Sequence, residues 1–288
     1  MKQHFFAAFY SVQLLTATVA VSQEWIDDKS LLRSFETQFQ EVQRSGTGLS
    51  ANEVRRHLKR EFTFAGKIEP VGKTESLTAP RLYERAKAAT LLVGHLYLCG
   101  NCDKLHGSAA GGVVISKDGL ALTNYHVLEF TRAKVFGTMS SDGKAYPISE
   151  VLASSRQHDL ALVRLEGASD LPFLPLAAQA EVGEPVSLVS HPDSHFYTLT
   201  TGQISRYYLA PRSKAPRLQI TADFARGSSG CGVLNEAGQL VGLVTSTNSI
   251  YYTQEKDLQK DLQMVINACV PLSSIQSFLK GATSPDGE

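Results

Sequence analysis

The sequence predicts a mainly β domain, either a barrel or a sandwich, with helices at both ends. Short runs of apolar and β-branched residues begin near residue 90 and alternate with turn signals over about 180 residues, as in all-β domains. Two tripeptides, KDG at 117–119 and EAG at 236–238, are typical of tight turns between paired strands. The predicted strands lie at 90–98, 112–116, 120–123, 160–165, 186–190, 218–221, 233–234, 240–245 and 264–270.

The segment before these strands is predicted to be helical. Apolar residues recur at helical spacing over 31–42, and the glycines of SGTG at 45–48 end that helix. Ser50 followed by Glu53 forms a capping box that begins a second helix, and Pro80 suits the first turn of a third. The predicted boundaries are a helical extension at 23–88, either a removable pro-segment or a packed appendage, a β domain at 89–288, and a last helix at 273–280.

The N-terminus has the layout of a secretory signal peptide. A short basic start, MKQH, precedes a mostly apolar stretch at 5–21, and residues 20–22 (AVS) supply a small-x-small cleavage site before Gln23. We therefore expect residues 1–22 to be a signal peptide. The mature protein would be exported, to a periplasm or the extracellular space, without stable membrane association. The alternative is an uncleaved anchor, for which the apolar stretch is short and diluted by polar residues.

The charge balance excludes one class of partner. Lys plus Arg and Asp plus Glu both number 28, and 43% of the residues are hydrophobic, which is ordinary for a globular protein. A nucleic-acid-binding surface would need a basic excess or a basic stripe, and we expect no nucleic-acid partner.

In an exported chain the four cysteines are candidates for disulfides. Cys99 and Cys102 form a CGNC unit, and we expect a local disulfide between them. The alternative is a zinc site with Cys99, Cys102 and His106 as ligands, but a structural site normally takes four and the sequence offers no convincing fourth. We therefore expect no metal and no cofactor. A thioredoxin-like redox role lacks a βαβ pattern around the pair, and the pairing of Cys231 and Cys269 stays open.

Three residues could supply the chemistry of a nucleophilic serine. Ser229 lies in GSSG at 227–230, where glycines let the backbone turn sharply and aim N–H groups at one point. A serine hydroxyl needs a base beside it, and a carboxylate to hold that base in the right tautomer. His126 follows one predicted strand and Asp159 opens another, so a rigid scaffold can present both to a cleft. Each residue alone fits an ordinary turn or strand end, but together they predict a triad.

With these residues identified, the chain from about residue 90 to 280 resembles a chymotrypsin/trypsin-fold serine peptidase, closest to the HtrA/Deg-type branch. The histidine, aspartate and nucleophile blocks carry most of the resemblance, and stretches from the second barrel carry the rest. The matching stretches are 112–127 (GVVISKDGLALTNYHV), 158–163 (HDLALV), 183–186 (GEPV), 191–192 (HP), 201–205 (TGQIS), 227–230 (GSSG) and 239–246 (QLVGLVTS).

This resemblance implies two six-stranded β-barrels with the active site between them. Ser229 would be the nucleophile, His126 the general base and then acid, and Asp159 the orienting carboxylate. The N–H groups of Gly227 and Ser229 would form the oxyanion hole. Cys231 departs from the family pattern, which has glycine there, and needs room behind the nucleophile.

The substrate pocket is harder to predict. Asp223 stands six residues before Ser229, the offset at which trypsin-like enzymes place the acid that receives Lys or Arg. In HtrA-like proteins the nucleophile loop differs in length, and an Asp nearby serves the backbone instead. Thr245, Ser246 and Thr247 would line one pocket wall, and a polar loop at 248–263 would flank it.

Two further features bear on assembly and activation. Residues 246–288 complete the barrel and one helix, so we expect none of the PDZ domains that HtrA/Deg proteins usually carry. Ser228 replaces the Asp that, in trypsin, pairs with a newly cut N-terminus, so activation of that kind is not expected. The predicted function is an exported serine endopeptidase acting on polypeptides; the alternative is a non-catalytic binding module that keeps the fold. The oligomeric state stays open.

Overall fold

The computed structural model describes residues 25–60, 64, 66, 68–72, 74–255 and 258–281, so the predicted signal peptide lies outside the described residues. Within these ranges, no helix is both long and apolar enough to cross a membrane. The helices are α1 (Asp28–Ser45), α2 (Ala51–His57), α3 (Ala79–Ala89) and α4 (Leu272–Gly281).

The helix ends follow the local sequence. The Asp27 carboxylate caps α1 by accepting the N–H of Ser30 at 3.0 Å, and α1 stops at Gly46, whose φ of 70° is left-handed. Both hydrogen bonds of the predicted capping box between Ser50 and Glu53 are present at the start of α2. The three helices predicted before the β domain are therefore confirmed.

The first barrel contains six antiparallel strands in the order β1-β2-β3-β6-β5-β4, and it closes where β4 pairs with β1. Closure leaves no free sheet edge, and the inward side chains of Leu92, Leu122 and Leu162 are fully buried. The strands are β1 (Thr90–Leu98), β2 (Leu105–Val114), β3 (Leu120–Thr123), β4 (Val135–Met139), β5 (Ala145–Ser155) and β6 (Leu160–Leu165).

The second barrel has the order β10-β11-β12-β9-β8-β7 and closes where β10 pairs with β7. Its strands are β7 (Pro185–Ser190), β8 (Thr198–Leu209), β9 (Pro216–Ile220), β10 (Gly232–Leu234), β11 (Leu240–Glu255) and β12 (Leu258–Pro271). The predicted mainly β fold with two six-stranded barrels is confirmed.

The helix α1 packs tightly against the first barrel. Phe35 and Phe39 are fully buried. Two strand glycines leave room for their rings, because a Cβ on Gly94 would lie 2.8 Å from Phe35 Cζ and one on Gly137 would lie 2.9 Å from Phe39 Cζ. The Gln38 side-chain oxygen accepts the N–H of residue 145 at 3.0 Å. The described part of the extension thus shares the core of the β domain.

The prediction of a polar loop near the substrate pocket is wrong, because the segment forms two paired strands. The segment expected as a polar loop at 248–263 belongs to a long β11–β12 hairpin that extends beyond the barrel. We call its outer part, residues 246–255 and 258–266, the ribbon. Tyr252 and Leu262 on the ribbon are 82% and 55% exposed. Because both faces of the ribbon meet solvent, its sequence lacks the alternation of apolar and polar residues that marks a half-buried strand.

Candidate active site

The three predicted triad residues lie at strand ends on both barrels. His126 opens a short 3₁₀ turn soon after β3, and Asp159 immediately precedes β6, both on the first barrel. Ser229 lies just before β10 on the second barrel. The first two residues are in direct contact, and Thr245 on β11 contacts the third.

The His126 ring is held by the Asp159 carboxylate. Its Nδ1 atom lies 3.0 and 2.9 Å from the two carboxylate oxygens, and the backbone N–H of His126 donates to Oδ1 at 3.1 Å. The Asp159 side chain is 15% exposed, whereas that of His126 is 46% exposed. The carboxylate is therefore shielded, and the imidazole faces the open side.

The backbone of Asp159 is fixed in a sparsely populated conformation. Its φ is 63°, in the left-handed region where Asp is tolerated better than most residues. The buried Asn124 side chain donates its amide N–H to the Asp159 carbonyl oxygen at 2.9 Å. Asn124 lies next to β3, so the strand that leads to His126 also secures the residue that contacts it.

Thr245 joins the carboxylate to the serine. Its hydroxyl donates to Asp159 Oδ2, and its backbone carbonyl accepts the Ser229 hydroxyl at 3.3 Å. Thr245 is 7% exposed. Sequence reasoning gave Thr245 only a place in the pocket wall and missed this contact. The signal that could have found it is a hydroxyl residue at the end of the buried run of β11.

We call residues 227–230 the nucleophile loop, after the predicted role of Ser229, and two of its backbone amides are available as hydrogen-bond donors. Gly227 has a φ of 97°, which glycine adopts readily. The Asp193 N–H donates to the carbonyl oxygen of Arg226 at 2.7 Å. In a trans peptide the C=O and N–H point in opposite directions, so this bond turns the Gly227 N–H away from Asp193. Among the described residues, neither Gly227 N–H nor Ser229 N–H has a protein acceptor.

Cys231 fits behind the loop because residue 111 is glycine. The thiol is fully buried and unbonded to another cysteine, and a Cβ on Gly111 would lie only 2.1 Å from its Sγ. The Gly111 N–H donates to the Ser229 carbonyl oxygen at 2.7 Å. Burial raises the pKa of the Cys231 thiol, and the same holds for Cys269.

His191 is a buried residue that packs beside the nucleophile loop. Its ring is fully buried, accepts the Tyr197 N–H on Nδ1 at 3.2 Å and lies 3.3 Å from the Leu91 carbonyl oxygen through Nε2. Burial lowers the pKa of His191 to about 4, so the ring is neutral at pH 7. The His191 backbone oxygen would lie 2.5 Å from a Cβ on Gly227, which ties this segment to the nucleophile loop.

The remaining pocket candidates lie near the second barrel surface. The Asp223 side chain is exposed, and its Oδ1 accepts an amide N–H of Asn267 at 3.2 Å. The Asp223 carbonyl accepts the Thr200 hydroxyl at 2.7 Å. Ser246 and Thr247 are exposed on β11, at the base of the ribbon.

The expected disulfide between Cys99 and Cys102 is not formed. Their sulfur atoms are 3.6 Å apart, whereas a disulfide bond is about 2.0 Å long. All four cysteines are free thiols. The sequence proximity of Cys99 and Cys102 correctly indicated that their side chains lie close together, but the two sulfur atoms are not bonded.

Comparison with known families defines the class of domain. Residues 110–243 match the model of the trypsin-like peptidase domain family, which agrees with the double barrel and with the positions of the residues above. The β domain is therefore a trypsin-fold serine peptidase domain.

The relatives then define the branch. Over 151 residues the chain is 32% identical to a probable periplasmic serine endoprotease DegP-like protein of Hahella chejuensis, covering 51% of this chain and 30% of the relative. It is 30% identical over 146 residues to the serine protease HTRA1 of Xenopus laevis, covering 48% and 31%. It is 28% identical over 139 residues to the serine endoprotease DegS of Escherichia coli, covering 46% and 38%. The chain is an HtrA-like member of the trypsin-fold serine peptidases, and it spans about a third of the length of these relatives.

Proposed function

We propose that this chain is an exported serine endopeptidase that cleaves polypeptides through Ser229, His126 and Asp159. The observation that carries the proposal is the contact of His126 Nδ1 with the Asp159 carboxylate at 2.9 Å. This contact fixes one nitrogen as the donor, so Nε2 is left as the base on the exposed side of the ring. In the proposed site, Ser229, which lies just before β10 on the second barrel, would stand opposite this nitrogen.

The proposed reaction has two halves. His126 Nε2 takes the hydroxyl proton while Ser229 Oγ attacks the carbonyl carbon of the scissile peptide bond. The C–N bond then breaks, the leaving amine takes the proton from His126, and an ester to Ser229 remains. Water attacks this ester by the same route, which releases the acid and restores the serine hydroxyl.

The amides of Gly227 and Ser229 would stabilise the negative oxygen of each tetrahedral intermediate. They are suited to this role because neither has an acceptor in the described part of the chain, and they lie on either side of Ser228. A preorganised donor of this kind contributes roughly 3 kcal/mol to transition-state stabilisation.

Before attack, the Ser229 hydroxyl must change partner. In the structure it donates to the Thr245 carbonyl at 3.3 Å, a weak contact. Rotation about the Cα–Cβ bond of Ser229 would turn the hydroxyl toward His126. Such hydrogen bonds are often long without substrate and tighten when substrate binds.

A fluorophosphonate probe tests the proposal against the alternative of a non-catalytic binding module. The folded chain should be labelled, and Ser229→Ala should abolish labelling. Ser228→Ala is the matched control, because Ser228 is buried next to the nucleophile and its hydroxyl has no partner among the described residues. Labelling should persist in that control. A folded wild type that is not labelled would favour the binding module.

The side-chain preference of the proposed peptidase depends on Asp223. An exposed carboxylate held by Asn267 would favour a cationic side chain in the substrate if it faces the pocket. A peptide-library cleavage profile should then show a preference for Lys or Arg that Asp223→Ala removes. A profile without that preference would leave Asp223 a loop residue, with Thr245, Ser246 and Thr247 as the remaining pocket candidates.

Export is supported by the layout of residues 1–22 and by the similarity to the Hahella chejuensis protein, a probable periplasmic endoprotease. N-terminal sequencing of the chain from the exported fraction should begin at Gln23. Recovery of the chain in a membrane fraction with residues 1–22 intact would instead support the uncleaved anchor.

A further inference from the structure

Three side chains of the types that bind metals lie together where β1 turns into β2. They are distant in sequence from the predicted triad residues and have no part in the proposed peptidase reaction. Cys102 Sγ lies 3.6 Å from Cys99 Sγ and 3.1 Å from His106 Nε2. All three donor atoms lie within 4.8 Å of one another. Cys102 is exposed, and the other two are partly exposed, so an ion could reach them from solvent.

Two of the three distances between donor atoms lie close to those around a shared tetrahedral ion. With Zn–S of about 2.3 Å and Zn–N of about 2.0 Å, two thiolates on one zinc are about 3.8 Å apart and a thiolate and an imidazole nitrogen about 3.5 Å apart. The observed 3.6 and 3.1 Å require shifts of about half an ångström or less in exposed side chains. Formation of a disulfide would instead require the two sulfur atoms to move more than 1 Å closer to each other.

The backbone of the turn supports a thiolate at Cys99. Gly100 has a φ of 83°, which folds the chain back so that the Asn101 N–H donates to Cys99 Sγ at 3.4 Å. A metal-binding cysteine must be deprotonated, and an N–H aimed at the sulfur favours that form.

The third donor is held by the barrel. His106 lies on β2 directly opposite Tyr97 on β1, and the next residue, Gly107, donates its N–H to Glu36 Oε1 at 2.8 Å. Glu36 belongs to α1. The imidazole is therefore carried on a paired strand that is also bonded to the helix, while the two cysteines sit in the turn.

We propose that Cys99, Cys102 and His106 bind one zinc ion that clips the β1–β2 turn. Water or another external group would complete the tetrahedron, because a zinc site with three protein ligands keeps an open position. The proposal departs from the expectation of no metal and does not depend on peptidase activity.

Metal titration of the full chain tests the site. The chain, reduced, stripped with a chelator and kept without oxygen, should bind one cobalt(II) ion. The complex should show tetrahedral ligand-field absorption with thiolate charge transfer, and one equivalent of zinc should remove both. Zinc should also raise the thermal midpoint. A weak octahedral spectrum, or binding of no ion, would overturn the proposal.

Single substitutions identify the ligands. Cys102→Ser and His106→Gln should each weaken zinc binding by at least about 100-fold, since loss of even an outer partner costs 10–100-fold. Cys269→Ala is the matched control, because it removes a thiol that is buried far along the chain, and it should bind zinc normally. Both test residues are on the surface, and near-ultraviolet circular dichroism checks their folding. Unchanged affinity in folded Cys102→Ser and His106→Gln chains would exclude the site.

Oxidation is the competing fate of the pair. A Cys99–Cys102 disulfide requires an external oxidant that takes two electrons, and both thiol protons are released. Intact mass of the chain isolated after expression with added zinc distinguishes the two states. A chain that carries zinc and, after denaturation in acid, has the mass of the fully reduced dithiol supports the proposal, and a zinc-free chain that is lighter by two hydrogens because of the disulfide contradicts it.

Discussion

Cys231 occupies the space that the missing side chain of Gly111 leaves open. A Cβ on Gly111 would lie 2.1 Å from Cys231 Sγ and 3.1 Å from the Ser229 carbonyl oxygen. The Gly111 N–H already donates to that oxygen at 2.7 Å. A residue on the first barrel thus sets both the position of the nucleophile loop and the room for the cysteine behind it.

The first prediction follows from this contact. Gly111→Ala should lower the free energy of unfolding by about 1–3 kcal/mol, because the added methyl group overpacks the interface. It should also slow labelling of Ser229 by displacing the loop. Urea unfolding and probe labelling rates measure the two effects.

Cys231→Gly is the second substitution of a double-mutant cycle with Gly111→Ala. Removing Sγ relieves the closest clash with the added methyl group. The Gly111→Ala/Cys231→Gly double variant should therefore lose less unfolding free energy than the sum of the losses in the two single variants, by at least about 0.5 kcal/mol. Additive costs would show that Cys231 does not limit residue 111.

The second prediction concerns the proposed oxyanion hole. A Cβ on Gly227 would lie 2.5 Å from the His191 carbonyl oxygen, and the φ of 97° is strained for alanine. Gly227→Ala should therefore turn the 226–227 peptide and reduce kcat by about 10²–10³-fold. Peptide hydrolysis measures this loss.

Gly183→Ala is the matched control for Gly227→Ala. Gly183 has nearly the same φ, 93°, and no atom within 4 Å of its Cβ position. It should cost only the conformational penalty, about 1–2 kcal/mol, and leave kcat unchanged. An equal loss of activity in both variants would assign the effect to general destabilisation.

The sequence predicted the elements whose causes are local. The capping box at Ser50, the turn at 117–119 and the buried runs of β3 and β6 depend on neighbouring residues, and they appear where expected. The strands β4 and β5 were missed, and β8 was indicated only by the resemblance of residues 201–205 to a strand of the second barrel. Prolines, glycines and exposed polar residues interrupt their patterns, and only pairing within the closed barrels makes them strands.

The same distinction applies to the site. His126, Asp159 and Ser229 could be singled out from short motifs. The contact of Thr245 with Asp159 joins residues 86 positions apart, and the bond from Asp193 to Arg226 joins residues 33 apart. Such contacts depend on how strands distant in sequence, and in the case of Thr245 and Asp159 the two barrels, come together, which no local pattern encodes.

The third prediction tests Thr245 as a positioning residue. Thr245→Val removes the hydroxyl that donates to Asp159 but keeps the shape of the side chain. A hydrogen bond to a charged group contributes about 1.5–3 kcal/mol, so kcat should fall by roughly 10–100-fold while KM changes little.

Rescue separates positioning from packing at this site. Thr245→Ser keeps the hydroxyl but loses the methyl group, and it should restore most of kcat and the pH profile of the wild type. If Thr245→Ser were as slow as Thr245→Val, the methyl group rather than the hydroxyl would be the important feature.

The fourth prediction concerns the helical extension. Phe39 on α1 is fully buried against Gly137, so Phe39→Ala should destabilise the β domain by about 3–5 kcal/mol. Trp25→Ala is the control, because Trp25 is an aromatic residue of the same extension that is 82% exposed. Thermal unfolding of both variants measures the difference.

A removable pro-segment would give the opposite result. If proteolytic removal of residues 28–45 left the thermal midpoint of the β domain unchanged, α1 would not be an integral part of its core.

The last prediction is a loss of stability in acid that depends on His95. The ring is 7% exposed and stacks on Phe130 at 4.2 Å, and its Nε2 has no partner among the described residues. Burial lowers the pKa of His95 from 6.5 to about 4. The unfolded chain therefore binds a proton between pH 6.5 and 4 that the folded chain does not bind. The stabilising contribution is complete above pH 6.5 and is lost as the pH falls toward 4.

His95→Phe removes this titration and keeps the stacked ring. Between pH 7 and 4.5 the wild type should lose roughly 2–3 kcal/mol of unfolding free energy through His95, and His191 should add a similar loss because its pKa is also about 4. The loss of unfolding free energy in the His95→Phe variant should therefore be smaller than in the wild type, and the difference should equal the contribution of His95. Urea unfolding at the two pH values measures the loss in each protein. Equal losses would mean that His95 takes up a proton as readily in the folded chain as in the unfolded chain, which would contradict the lowered pKa.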